Sequence, residues 1–142
     1  MLKFLLQEKL SEGFLVIVLS ILALIHACIL TDLIPYDMVW GGRLNSRLEA
    51  IRFETIALLA TFIMLLVVIM RKVYYNRGLN PLVIKVFLWL MTVMFLLNAA
   101  GNFASYNVIE KYFFGPITIL MFLSCLRLAL SKSPDHSVPE LN

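Results

Sequence analysis

The sequence predicts an all-α integral membrane protein, a single domain built as a four-transmembrane-helix bundle. Three observations carry this. Hydrophobic residues fill 61% of the 142 positions and charged residues only 15%, and the mean hydropathy is +0.91, far to the apolar side of an ordinary soluble domain. The apolar residues fall in four blocks, each close to the roughly 20 residues a helix needs to cross about 30 Å of hydrocarbon. The Lys and Arg lie between those blocks, so the formal charge of +3 orients the chain in a bilayer and does not form the basic face that a nucleic acid would require.

The first span is expected over residues 13–31, after a short amphipathic start, residues 1–11, carrying Lys3, Glu8 and Lys9 and lying at the inner surface. Cys28 follows Ala27 as in a lipoprotein cleavage site, but His26 stands where such sites want a small or aliphatic residue, so the segment reads as a retained span. A polar outer loop, residues 32–46, holds Pro35, the aromatics Tyr36 and Trp40, and the helix-breaking Gly41-Gly42 pair. Ser46 with Glu49 three positions on has the form of a capping box, which starts helix two near Arg47. Its lipid-compatible part is expected over residues 54–71. Asn80 followed by Pro81 marks the next helix start, with Asn as the cap and Pro in the first turn, and the third span is placed at residues 83–101. The fourth, residues 113–130, has Gly115-Pro116 near its beginning and Asn107 with Glu110 at another capping-box spacing. Two forms stay open: a helix that starts at Asn107 and kinks at Pro116, or one whose first turn is Pro116. A short polar tail, residues 133–142, follows.

Four spans put the N-terminus, the second loop and the C-terminus on one side, with Lys3, Lys9, Arg71, Lys72, Arg77, Lys85, Arg127 and Lys132. The other side has Arg43, Arg47, Arg52 and Lys111. Positively charged loops remain in the cytoplasm, so both termini are expected inside a bacterial-type plasma membrane. This topology separates Cys28 from Cys125, which should not pair.

Glu54 lies 17 positions before Arg71, or about 25 Å along a helix, just within the outer edge of the hydrocarbon. Asn102 stands equally far from Lys85, with Asn98 a turn deeper. Glu54, Asn98 and Asn102 are therefore expected to meet as the floor of an outward-opening polar pocket. Its rim would come from Arg43, Arg47, Asp37 and Trp40, with Glu110 and Lys111 entering from the third loop. Intramembrane ionisable groups are costly and mark functional sites. The competing expectation is packing: Glu54 pairs with an Arg to hold the long loop, and the two Asn hydrogen-bond between helices. His26 stands alone on its helix, without a second ligand at helical spacing, and ranks below this set. Glu12, at the inner end of the first span, is expected to reach water. No phosphate loop, metal constellation or nucleophile arrangement is present, so no metal or cofactor is expected.

The run Tyr36-Asp37-Met38-Val39-Trp40-Gly41-Gly42-Arg43-Leu44, with Phe53-Glu54, Asn98 to Asn102 and Glu110-Lys111, is similar to small bacterial four-helix inner-membrane proteins. That resemblance implies a fold and a location but no activity. The Arg-rich start of helix two superficially looks like membrane proteins of eicosanoid and glutathione metabolism, whose Arg-Ala-His spacing is not reproduced here. Small multidrug exporters also have four helices, but Glu12 lies too near the inner end for their essential acid. The expected role is binding, not enzymatic: a small amphiphile, a lipid head group or a partner membrane protein at the polar cluster, in a chain that can form homo-oligomers. The alternatives are a small oligomeric transporter subunit and a membrane enzyme acting on lipid or quinone with Glu54 as acid or base.

Overall fold

Hydrocarbon offers no partner to a peptide N–H or C=O, so a segment that crosses it must close its hydrogen bonds internally. The computed structural model describes residues 7–36, 44, 46–79 and 81–131, and helices account for most of them. In chain order they are α1 (Glu8–Leu30), α2 (Arg47–Asn76), α3 (Leu82–Ala104), and a π-helical turn (Glu110–Phe114) that leads directly into α4 (Gly115–Ala129). Each, with the π-turn counted into the last, is long and apolar enough to cross a membrane. The described chain is thus all-helical, with four apolar helices compatible with a multi-pass membrane protein.

α1 packs along α2, α3 packs along α4, and α1 lies against α4. α2 and α3 meet over a shorter stretch, leaving apolar grooves of about 410 and 250 Å³ lined by side chains such as Met70, Tyr74, Phe87 and Met94. The core runs through Leu15, Leu19, Val68, Leu88, Phe95, Met121 and Leu128. Large apolar side chains also cover the outside, among them Ile56, Leu59 and Leu66 of α2 and Leu82, Leu90 and Leu97 of α3. In water such a surface would aggregate; in lipid it costs nothing.

Sequence chemistry explains most helix ends. The Ser46 hydroxyl accepts the Glu49 N–H at 3.2 Å, so α2 begins at Arg47 as half of the expected capping box. α1 and α2 both end in Schellman turns, Leu33 N–H to Cys28 O at 2.9 Å and Leu79 N–H to Tyr74 O at 2.9 Å. The left-handed residue is Gly78 in one (φ 71°) and Asp32 in the other (φ 60°).

Three expectations are corrected. Residues 8–11 are not part of a separate surface segment, because α1 is continuous from Glu8. Pro81 is the N-cap of α3, not a first-turn residue, and its carbonyl accepts the Lys85 N–H; Asn80 lies outside the described residues. Of the two forms left open for the fourth helix, a start at Pro116 is overturned and a start at Asn107 is borne out. The helix begins just after Asn107 and widens into the π-turn immediately before Pro116. A Pro ring clashes with the carbonyl four residues back, here Tyr112, and the wider turn moves that carbonyl aside.

Candidate functional site

Two charged clusters are buried at opposite ends of the bundle, both centred on α2. At the end of the termini, Arg71 is 3% exposed. Its guanidinium donates to Glu12, to Glu8 Oε2 at 2.6 Å and to the Ser131 hydroxyl at 2.8 Å, and it lies 4.1 Å from the centre of the Tyr75 ring. Arg127 of α4 meets the other oxygen of Glu8 at 3.1 Å. Two cations and two carboxylates balance, and they tie the ends of α1, α2 and α4 together. Glu12, expected to reach water, is 5% exposed, because the Arg71 guanidinium replaces that water.

At the opposite end, Glu54 is completely buried. Its Oε2 is joined to His26 Nδ1 of α1 by a 2.6 Å hydrogen bond. The two side chains form one wall of a cavity of about 240 Å³. Asn102 of α3, Asn107 and Glu110 complete its polar lining, and Leu22, Ile25, Ile29, Ile109 and Phe114 form the apolar part. Five of the ten lining residues are polar and five apolar, with most of the lining surface apolar, the mix a pocket for an amphiphile requires.

Local structure positions each group. Leu22, His26 and Ile29 fall on one face of α1 by their spacing of four and three. On α2 the same rule aligns Ala50, Glu54, Thr61 and Val68, all buried. Asn107 caps the last helix by accepting the N–H groups of Ile109 (2.9 Å) and Glu110 (3.4 Å). The expected return contact from Glu110 is relayed: the Ser105 hydroxyl donates to Glu110 Oε2 at 2.5 Å and accepts the Asn107 N–H at 3.1 Å. This relay and the π-turn turn Ile109, Glu110 and Phe114 toward the cavity.

The structure brings together Glu54, Asn102 and Glu110 of the expected set, but not all of it. Asn98 lines an adjoining cavity of about 130 Å³ that also contains Asn102 and Thr118; Asn102 itself donates to Thr118 Oγ1 of α4 at 3.2 Å. Arg47 does not face Glu54. It donates to the Ile29 and Leu30 carbonyls at 3.1 and 2.7 Å and pairs with Asp32 at 2.8 Å, since the open carbonyls of a helix C-terminus attract a cation. The Lys111 side chain is exposed and outside the cavity lining. Asp37, Trp40 and Arg43 lie outside the described residues.

His26 is hydrogen-bonded, as a lone His in an apolar span is expected to be, but sequence reasoning did not join it to Glu54. Its partner is not on its own helix but 28 positions away. Counting depth along both strands of the α1–α2 hairpin identifies it, because His26 is four residues from the end of α1 and Glu54 seven from the start of α2. Among the described residues no three His, Cys, Asp or Glu side chains group as a metal ion needs, and Cys28 and Cys125 are both free thiols. Comparison with protein-family models, curated proteins and solved structures finds no match, so this chain's function has to be read from the site itself.

Proposed function

We propose that the protein is a binding or accessory protein of a bacterial-type plasma membrane, with both termini in the cytoplasm, whose outward-facing cavity takes the polar head of a small amphiphile. The observation that carries this reading is the completely buried Glu54 carboxyl on the wall of a half-apolar cavity. An ionisable group at that depth is expensive. A packing role needs only the His26–Glu54 bond; it does not need the open space beside it. The apolar layer of Leu15, Leu19, Val68, Leu88 and Met121 between the two polar ends favours binding over transport, which would need a polar path through that layer.

The test is thermal stability of the purified protein in detergent, wild type and Glu54→Gln, screened against lipids, quinones and small amphiphilic cations. A ligand that binds only the folded state adds about 2.7 kcal/mol at a hundred times its dissociation constant. Stabilisation of wild type and not of a folded variant supports the reading. If nothing stabilises either form and the variant melts far lower, Glu54 is a structural bridge between α1 and α2. The His26–Glu54 bond favours a second reading, a membrane enzyme in which this pair exchanges a proton with lipid or quinone. It predicts a Glu54→Gln variant that folds and binds but does not turn over.

A further inference from the structure

The charge of the cavity wall narrows the ligand class. Glu54 and Glu110 both line it, and among the described residues no Lys or Arg does. The cations nearest in sequence, Arg52 two positions before Glu54 and Lys111 next to Glu110, are both exposed, and Arg47 is committed to Asp32 and the carbonyls of α1. Glu110 therefore adds a second carboxyl that no Lys or Arg of the described lining faces.

We propose that the head group this cavity selects is a cation, an ammonium or guanidinium carried on an apolar tail; the inference deepens the amphiphile reading above and rests on it. An anionic head would bring a further negative charge against a wall that already holds one buried carboxyl, Glu54, and one half-buried carboxyl, Glu110, and like charges that close repel. A neutral hydroxyl head gains hydrogen bonds but no net attraction. A cation seated between Glu54 and Glu110 is attracted by both, and Phe114 supplies an aromatic wall of the kind that favours ammonium groups. Ile25, Ile29 and Ile109 then cover the first carbons of the tail.

The experiment uses the full chain in a neutral detergent and three probes that share one tail: octylammonium, octanol and octanoate. Melting curves against probe concentration give the apparent dissociation constants. Octylammonium is expected to bind about tenfold more tightly than octanol and octanoate not at all. Glu110→Gln weakens the octylammonium effect, and Glu54→Gln abolishes it; Glu110→Gln keeps the test open if the Glu54 variant does not fold. Equal stabilisation by octanol or octanoate, lost in Glu54→Gln, overturns the preference for a cation and leaves the cavity reading intact. Octylammonium stabilisation that survives both substitutions places the probe outside the cavity and overturns the inference. If no probe of any charge stabilises the protein, the amphiphile reading itself fails.

Discussion

Glu54 and Arg71 are both buried in α2 but differ in what surrounds them. Arg71 has two carboxylates, a hydroxyl and an aromatic ring around it; Glu54 lines a cavity of about 240 Å³. The first therefore reads as a structural lock and the second as the centre of the proposed site. Removing one partner of a buried pair leaves the other charge uncompensated and costs about 3–5 kcal/mol, whereas replacing both by apolar groups is often neutral. Arg71→Met should accordingly lower stability in a detergent unfolding titration by about 3 kcal/mol, and Glu12→Leu added to it should restore most of the loss. A double variant no more stable than Arg71→Met would show that Glu8, not Glu12, is the partner that matters. At this scale the sequence was partly legible. Depth arithmetic along one helix found Glu54 and Asn102, but the partners His26 and Glu12 sit on a different helix, and single-helix spacing does not reach them.

At the scale of elements, capping chemistry is local and was readable: Ser46 begins α2, and Asn107 begins the last helix. The π-turn was not, because spacing shows that Pro116 must disturb the helix but not whether the disturbance becomes a kink, a start or a wider turn. The neighbour decides. A Cβ on Gly115 would sit 3.1 Å from the Phe103 ring of α3, while one on Gly13 would meet nothing within 4 Å. The close approach of α3 to α4 at the cavity end thus depends on Gly115. Gly115→Leu should destabilise by about 1–3 kcal/mol through overpacking, and Gly13→Leu should lie within about 0.5 kcal/mol of wild type. Melting of the two variants side by side checks this; equal melting would mean that Phe103 swings aside freely.

For the whole molecule, the question that charge counting answers is which end faces the cytoplasm. Eight Lys and Arg lie at the end of the termini and four at the other, and the structure pairs cations at both ends, Arg71 and Arg127 with Glu8 and Glu12, Arg47 with Asp32. Lys72, Arg77 and Lys85 have no such pair among the described residues, which fits the proposed placement of their loop on the cytoplasmic side. In a background with Cys28 and Cys125 replaced by Ser, Lys111→Cys should react with a membrane-impermeant maleimide on intact cells and Arg77→Cys only after lysis. The reverse pattern would turn the cavity toward the cytoplasm. By itself the sequence determined four long apolar helices, the start of α2 at Ser46 and the place of Glu54 along α2, because hydrophobic length, capping and helical rise are properties of a single segment. Tertiary structure alone decided that His26 holds Glu54, that Arg47 caps α1 instead of rimming a pocket, and that Glu110 faces the cavity. Each of these depends on how one helix is rotated against another, and in lipid that rotation is set by side-chain packing and buried polar pairs, not by the hydrophobic pattern that every span shares.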